Sequence, residues 1–462
     1  MNKSLIVCAL AGMVAAKDEA NRVLSIPDMA TFDNFGAFSG YLNVSDAKAL
    51  HYLFFESKNA PETDPVLIWF NGGPGCSSML GFAQEHGPYV MNSGTNYWIE
   101  NEFSWNNEAN VLYIEAPAGV GFSYCKGVKE CNSYSDDETA ADNLTAVLEW
   151  FNLFPEFQSN PLFISGESYA GIYVPYLSYY IDNYITANAD NADVFKPNLK
   201  GFAVGNGVTN YKYDCTPAYV EMAYWHSLYN DELYEAFKSN NCDFSGTRLQ
   251  NATPTCLNLL GQFEDLVSEV NVYDIFGICY GPEPNPQMYN AKKENVYTAA
   301  DYTPFLQRSN RANMLPACTF GNPILDYLNR ADVREALNIP TDIQAWDLCT
   351  ESINIEYQRD PNGSQWIYEA LAGKYRMLHY SGDVDGAVPT LGTENWINSL
   401  NWDVSENWRP YYLDGQVAGY LESYNNVALT FATVHGAGHM APQFKRGETF
   451  HLVFNWINER SI

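Results

Sequence analysis

The alternation of apolar strand-like runs with helical segments predicts an α/β protein whose central sheet is mostly parallel and has helices on both faces. Several of the apolar runs end in glycine-rich loops, which is typical of strand exits at the edge of such a sheet. One long segment breaks the alternation and carries five of the ten cysteines among many Tyr, Asn and Pro residues. We therefore predict two core parts, residues 17–213 and 321–462, separated by a disulfide-held cap subdomain at 214–320.

The N-terminus and the charge balance bound the location and the partners of the chain. Lys3 followed by an apolar run to Ala16 indicates a signal peptide over residues 1–16 and entry to the secretory route. No later stretch reaches about 18 consecutive apolar residues, so we predict no membrane span. The chain has 25 Lys and Arg against 55 Asp and Glu, a formal net charge of −30. This charge would repel nucleic acid and anionic membranes, and it also suits an acidic compartment.

The first part of the core predicts two antiparallel strands followed by buried parallel ones. Short apolar and polar runs alternate from Phe32 to Phe55, whereas the continuous apolar runs 65–70 and 109–114 are typical of strands buried on both faces. The run 65–70 leads into Asn-Gly-Gly-Pro-Gly-Cys-Ser-Ser at 71–78. Such a loop lets backbone N–H groups approach a ligand closely. A phosphate loop is excluded because no Gly-Lys-Ser/Thr sequence follows.

The stretch Gly-Glu-Ser-Tyr-Ala-Gly at 166–171 predicts a nucleophile elbow. It lies between an apolar run at 161–164 and a long apolar segment at 172–185, which indicates a strand, a sharp turn and a helix. A serine hydroxyl is a poor nucleophile by itself, so it needs an exposed position, a base and donors for an oxyanion. Ser168 is the predicted nucleophile, although Ala170 stands where the strict pattern has glycine. The other interpretation is a plain turn between a strand and a helix.

A serine nucleophile in this arrangement needs an acid and then a histidine, each on a loop after a later strand. The loops that follow two apolar runs near the C-terminus hold Asp383 and Asp385, and then His435 and His439. The His-x-x-x-His spacing also fits a zinc site. However, the intervening glycines break the helix that would bring the two rings together, and no Glu follows the first histidine. We therefore predict no metal and no cofactor.

Four motifs in this order resemble the serine carboxypeptidase family: the loop at 71–78, the stretch at 166–171, Gly-Asp-Val-Asp at 382–385 and Gly-His-Met at 438–440. The resemblance extends from about Gly36 to the C-terminus, and lysosomal and vacuolar carboxypeptidases are the nearest type. It implies an α/β-hydrolase fold. It also implies a hydrolase that removes C-terminal amino acids from peptides at acidic pH through an acyl-enzyme.

The resemblance also implies the catalytic roles. Ser168 attacks the last peptide bond, and His439 takes the proton and returns it to the leaving amino acid. Asp385, which matches the family's triad position better than Asp383 does, orients the imidazole. The implied oxyanion donors are the backbone N–H groups of Gly73 and Tyr169.

Recognition of the free α-carboxylate is implied to use acidic side chains. By match, the set is Asn71, Glu85 and Glu167, with Trp69 holding Asn71. Two carboxyl groups close to a third carboxylate cannot all be ionised cheaply, so protons must be shared and peptide binding should favour acidic pH. Without the resemblance, Glu85 and Glu167 would be interpreted as solvated surface residues.

The secretory route makes the cysteines candidates for disulfides and the Asn-x-Ser/Thr sequons candidates for glycosylation. The sequons are at Asn43, Asn143, Asn251 and Asn362. Nine of the ten cysteines lie beyond the signal peptide, so at least one has no partner within the chain. The family pattern suggests the pairs Cys76–Cys349, Cys242–Cys256 and Cys279–Cys318. Cys125 and Cys131 would close a small loop, which leaves Cys215 over.

The leading hypothesis is a serine carboxypeptidase in a lysosome, a vacuole or the extracellular space, acting on peptides with a free C-terminal carboxylate. Acyl transfer or ester hydrolysis on the same scaffold is an alternative, because an alcohol can capture an acyl-enzyme as water does. A protective binding role for other glycoproteins is the alternative outside enzymes. A homodimer stays open.

Overall fold

The computed structural model describes residues 19–92, 95–126, 134–279 and 322–462. Eleven of the strands in these ranges form one sheet, and β4 and β5 form a separate pair. The strands are β1 Ala37–Asn43, β2 Lys48–Phe55, β3 Val66–Phe70, β4 Tyr89–Val90, β5 Ile99–Glu100, β6 Asn110–Ile114, β7 Tyr124–Cys125, β8 Leu162–Glu167, β9 Leu199–Gly205, β10 Arg376–Gly382, β11 Glu406–Leu413, β12 Gln416–Tyr424 and β13 Leu429–Val434.

The large sheet is parallel at its centre and antiparallel at both edges. Its order is β1-β2-β6-β3-β8-β9-β10-β13-β12-β11, and β7 pairs with β2. The six strands from β6 to β13 in this order run parallel, whereas the pairs outside them run antiparallel. Parallel neighbours need long crossover connections, and here these connections contain the helices. The predicted sheet is confirmed, and its edges make it mixed.

The helices pack on both faces of the sheet. They are α1 Asp136–Leu153, α2 Ala170–Ala187, α3 Thr216–Trp225, α4 Asp231–Ser239, α5 Pro254–Leu266, α6 Asn322–Leu328, α7 Ala331–Ala336, α8 Glu351–Glu356, α9 Gln365–Leu371, α10 Thr390–Ser399, α11 Ala441–Phe444 and α12 Arg446–Ile457. A π-helix, Gly81–His86, lies between β3 and β4. In β3, Ile68 packs into one core with Trp150 of α1, while Trp69 packs into the opposite core with Phe454 of α12. This alternation explains why β3 is apolar throughout.

Two parts of the chain contain regular structure that the sequence did not lead us to expect. Helices α3 to α5 occupy the described portion of the predicted cap, residues 214–279, and pack around their own apolar cluster. The side chains of Asn230 and Thr253 cap α4 and α5. Strands β11 and β12 form a hairpin whose turn, Asp414-Gly415, has positive φ at both residues, as an Asp-Gly hairpin turn requires. The predicted cap boundary at residue 320 lies outside the described residues.

Two disulfides have both of their cysteines among the described residues. Cys76 is bonded to Cys349 across a sequence separation of 273 residues, and Cys242 is bonded to Cys256 across 14. These are the pairs that the resemblance suggests. The first bridge ties the glycine-rich loop after β3 to the segment before α8, whereas the second ties α4 to α5. Cys215 carries a free thiol.

Cys125 and Cys279 are also disulfide-bonded. Their suggested partners, Cys131 and Cys318, lie outside the described residues, as does the predicted signal peptide. Among the described helices, none combines the length and the apolar character needed to cross a bilayer.

Three of the four predicted glycan sites are exposed, at Asn43, Asn251 and Asn362. Asn143 is fully buried on the inner face of α1. The prediction of a glycan at Asn143 is therefore wrong for the folded chain, because a sequon is a local pattern that carries no information about burial.

Candidate active site

Ser168 lies on a sharp turn between β8 and α2. Its φ is +64°, in the left-handed region that residues other than glycine rarely adopt. The backbone N–H of Ser168 donates to the Gly205 carbonyl at 3.1 Å, and the Ser168 carbonyl accepts from the N–H groups of Gly171 and Val208, both at 2.9 Å. These bonds tie the turn to the end of β9 and hold the strained conformation. Ser168 lines a cavity between the sheet and the cap helices.

The glycine-rich loop after β3 packs directly against this turn. A Cβ atom at Gly72 would overlap the Tyr169 nitrogen and would lie 2.8 Å from the Glu167 carbonyl oxygen, so only glycine fits there. Gly73 has a φ of +112°. Gly73, Ser168 and Tyr169 line the same cavity. The two backbone N–H groups predicted to hold an oxyanion thus belong to segments in van der Waals contact.

Asp385 and His439 form a buried pair on the loops after β10 and β13. The His439 Nδ1 and the Asp385 Oδ2 are 2.7 Å apart. Asp385 also accepts hydrogen bonds from the backbone N–H groups of Ala387 at 2.7 Å and Val388 at 3.1 Å. These bonds fix the orientation of the carboxylate. Because Nδ1 bonds to Asp385, Nε2 is left for the cavity that His439 shares with Ser168.

Asn71 joins two buried carboxyl groups beside the turn. Its Nδ2 donates to Glu85 Oε1 at 3.1 Å and to Glu167 Oε1 at 3.0 Å. Its Oδ1 accepts from Trp69 Nε1 at 2.8 Å and from the Gly81 N–H at 3.0 Å. These four bonds fix the amide so that its N–H groups face the two acids. Glu85 lies on the π-helix and Glu167 immediately precedes Ser168, and both are buried.

Burial raises the pKa of both acids. The pKa of Glu85 lies above its usual range because the carboxyl group is removed from water, and the pKa of Glu167 is raised by burial and then by the charge of Glu85. Both carboxyl groups contact the same Asn71 amide, and two buried acids this close favour a proton shared between them. Within the described chain, Oε2 of each acid accepts no bond from an N–H or hydroxyl group. The pair therefore holds a proton and can offer it to a ligand.

Comparison with known proteins identifies this arrangement. The sequence matches the serine carboxypeptidase family model over residues 27–459. The chain belongs to the serine carboxypeptidase family. It is 35% identical to the lysosomal protective protein of Mus musculus, in an alignment that covers 98% of this chain and 97% of that protein. It is also 35% identical to serine carboxypeptidase 1 of Hordeum vulgare, over 91% of this chain and 89% of that one.

The fold of this serine carboxypeptidase agrees with a solved structure. The crystal structure of the prohormone-processing carboxypeptidase Kex1(delta)p from Saccharomyces cerevisiae superposes with a TM-score of 0.73 and covers 96% of this chain and 97% of that one. The two sequences are 20% identical, so the superposition shows the fold alone. The predicted α/β-hydrolase fold and the assignment as a serine-type hydrolase are confirmed.

A second Asp–His pair lies on the surface of the carboxypeptidase. His435 Nδ1 and Asp383 Oδ2 are 2.7 Å apart, and 63% of the His435 side chain is exposed. The two histidines of the His-x-x-x-His spacing thus bond to different acids. In the described ranges, no group of three or more His, Cys, Asp or Glu side chains could hold a metal ion.

Asn206 is a site residue that the sequence analysis missed. Its Nδ2 donates to Asp385 Oδ2 at 2.9 Å, and its Oδ1 accepts from the Gly382 N–H at 2.9 Å. It is fully buried and has a φ of +41°. Asn206 therefore positions the acid rather than contacting the substrate. The available signal was Gly205-Asn206-Gly207, a further glycine-rich exit at the end of a central strand.

A buried polar network behind the glycine-rich loop was also missed. Glu115 accepts hydrogen bonds from Ser77, from Trp346 Nε1 at 2.9 Å and from the Phe122 N–H at 2.9 Å, and it lies 2.8 Å from His51 Nδ1. Glu115 and His51 are almost completely buried. Because Ser77 belongs to the same loop as Gly73, this network and the Cys76–Cys349 bridge together fix the loop against the turn.

The two acids on the loop after β10 give a test of the triad. Asp385→Asn should lower kcat about a thousandfold or more, because the amide cannot stabilise the imidazolium of His439 or enforce its tautomer. Asp383→Asn is the matched control. It removes the same charge from a residue two positions before Asp385 that pairs with His435 on the surface. We expect its kcat to stay within about threefold of the parent. Steady-state hydrolysis of one peptide substrate measures both, and a larger loss in Asp383→Asn would reverse the assignment.

Proposed function

We propose that this serine carboxypeptidase removes C-terminal amino acids from peptides at acidic pH, with Ser168, His439 and Asp385 as its triad. The observation that carries the proposal is the buried Asn71, Glu85 and Glu167 cluster, whose last member adjoins Ser168 in the chain. A hydrolase without exopeptidase specificity has no need for a buried pair of acids that shares a proton beside its nucleophile. The cluster offers N–H and O–H donors to one carboxylate.

The proposed reaction proceeds through an acyl-enzyme. Ser168 Oγ attacks the carbonyl carbon of the last peptide bond while His439 Nε2 takes the hydroxyl proton. The backbone N–H groups of Gly73 and Tyr169 bind the oxyanion. The C–N bond then breaks, and His439 gives its proton to the leaving amine. Water, activated by the same imidazole, releases the shortened peptide and restores the serine.

Recognition of the terminal carboxylate depends on the proton of the glutamate pair. We propose that on binding the substrate carboxylate accepts the shared proton of Glu85 and Glu167, and that one Asn71 N–H exchanges its bond to a glutamate for a bond to that carboxylate. Because the pKa values of the pair are raised, the pair stays protonated through the acidic range. As the pH rises through these pKa values, a negative charge appears opposite the substrate carboxylate. Peptide binding should therefore weaken as the pH rises.

The cellular setting is proposed from the sequence and from the relatives. A signal peptide at 1–16 would direct the chain into the secretory route, and one relative is named as a lysosomal protein. We infer a lysosome, a vacuole or the extracellular space as the destination. At low pH, partial protonation of the 55 Asp and Glu side chains would also reduce the electrostatic self-repulsion of the chain.

The proposed function is tested with two N-blocked dipeptides that differ only at the C-terminus, one a carboxylate and the other an amide. We expect release of the C-terminal residue from the carboxylate form, and a rate that is lower by about tenfold or more for the amide, which gives no anion to the cluster. Ser168→Ala should release nothing from either. Equal rates for the two substrates would contradict recognition of the carboxylate, and release by Ser168→Ala would contradict the triad.

The pH dependence tests the glutamate pair separately. In the Glu85→Gln and Glu167→Gln double variant, amide N–H groups replace the shared proton at every pH, so the KM for peptides should no longer rise with pH. The parent's KM should rise about tenfold for each pH unit above the raised pKa of the pair. Measuring kcat and KM from roughly pH 4 to 8 on a peptide and on a matched ester without a free carboxylate separates binding from catalysis. A peptide KM that rises equally in parent and variant would contradict the mechanism.

A further inference from the structure

Two arginines that have no carboxylate partner among the described residues line the cavity that contains Ser168. Arg359 and Arg248 both contribute to its wall. Within the described chain, neither forms an ion pair, although the protein has 55 Asp and Glu against 25 Lys and Arg. With acids in such excess, an unpaired arginine beside a catalytic serine indicates a site for an anionic group.

Arg359 is the inner of the two arginines and is half-buried. Its guanidinium carbon lies 5.6 Å from the centroid of the Tyr169 ring, the side chain next to the nucleophile. Its Nη2 donates to the backbone oxygen and to Oδ1 of Asn354, both at 3.3 Å. These acceptors are neutral, and Nε and Nη1 make no hydrogen bond in the described part of the chain. Within the described ranges, the guanidinium thus has no carboxylate partner and keeps donors available.

Arg248 lies at the same end of the cavity and is exposed. Its Nη2 donates at 3.0 Å to the backbone oxygen of Ile355, the residue that follows the Asn354 contacted by Arg359. Both arginines are thus anchored to one turn of α8 through neutral oxygens. Arg359 is the more buried of the two and Arg248 the more exposed.

The location of the cluster of Asn71, Glu85 and Glu167 indicates which side of the cleaved bond the two arginines face. None of Asn71, Glu85 and Glu167 lines the cavity, whereas Ser168 and Tyr169 do. The leaving amino acid places its carboxylate at the cluster. The acyl side of the substrate must then extend from Ser168 into the cavity. The side chain of the residue just before the cleaved bond would lie beside Tyr169 and Arg359.

In the described part of the chain, Asp214 and Asp360 form no ion pair with the arginines. Asp214, which also lines the cavity, has its pKa raised to about 7 by burial, so it is neutral at acidic pH. Asp360, the residue after Arg359, accepts hydrogen bonds from Tyr176 and Asn362 instead. Glu264 lines the wall formed by α5, where burial and then the charge of Glu264 raise the pKa of Tyr219.

We propose that this carboxypeptidase prefers peptides with Asp or Glu immediately before the cleaved bond, and that Arg359 determines this preference. Arg248 extends the preference to an acid one residue further upstream. The inference rests on the proposed function, because it needs the acyl side of a peptide in the cavity. Asp and Glu side chains have pKa values of about 4 and remain largely ionised at the pH of a mildly acidic compartment.

The test uses N-blocked dipeptides that all end in Leu and have Glu, Gln, Leu or Lys before it. We expect kcat/KM for Glu to exceed that for the isosteric Gln by about tenfold or more, and the Lys substrate to be the poorest. We call the kcat/KM for the Glu substrate divided by that for the Gln substrate the Glu-to-Gln ratio. In Arg359→Gln this ratio should fall to about one, while in Arg359→Lys it should stay above one but below that of the parent. Using the ratio removes any general effect of the substitution on the turn at Ser168.

Arg334→Gln is the matched control. Arg334 also donates to backbone oxygens and also packs on an aromatic ring, with its guanidinium carbon 5.2 Å from the Phe122 centroid, but it does not line the cavity. We expect its Glu-to-Gln ratio to equal that of the parent. Arg248→Gln is tested with N-blocked tripeptides that carry Glu or Gln one residue further upstream. We expect their Glu-to-Gln ratio of kcat/KM to be lower in Arg248→Gln than in the parent.

The outcomes separate this inference from the proposed function. A parent ratio at or below one, or a ratio unchanged in Arg359→Gln, would overturn the inference while hydrolysis of the Leu substrate still supports a carboxypeptidase. A preference for Lys over Glu would also overturn it and would assign the cavity to Glu264. If the folded parent released Leu from none of the substrates, both the inference and the proposed function would fail.

Discussion

The hydrogen bonds of the Asn71 side chain are the interaction on which the rest of the site depends. They connect the glycine-rich loop, the π-helix that carries Glu85 and the turn that carries Glu167. One step along the chain from Asn71, Gly72 packs against that turn so closely that no side chain fits. The predicted oxyanion donors and the cluster of Asn71, Glu85 and Glu167 are therefore held at a fixed separation, as the proposed selection of the last peptide bond requires.

The parallel centre of the sheet explains why residues distant in sequence meet at one place. Parallel strands end at the same edge, so the loops after β3, β8, β9, β10 and β13 converge there. The strained turn at Ser168 and the positive φ of Asn206 lie at this edge, where hydrogen bonds from neighbouring strands hold both conformations. Buried polar groups such as Glu115 support these loops from behind.

The sequence predicted what is encoded locally and failed where the determinant is a distant contact. Strand runs and glycine-rich exits identified the sheet and Ser168, while Glu85 was identified only through the family resemblance. Asn206 and Arg359 were missed, because the position of the first and the proposed role of the second depend on partners that only the fold brings near, Asp385 and Tyr169. The wrong glycan site at Asn143 has the same cause, since burial depends on the packing of α1.

The central claim is that binding of a C-terminal carboxylate is coupled to a proton on the Glu85 and Glu167 pair. Calorimetric titration of Ser168→Ala with an N-blocked dipeptide, in buffers of different ionisation enthalpy, counts the protons taken up on binding. At roughly pH 8 the account predicts uptake of about one proton per peptide, because the bound carboxylate raises the pKa of the pair further. It predicts almost none when both glutamates are replaced by Gln. Binding of the peptide to Ser168→Ala with no proton uptake would contradict the account.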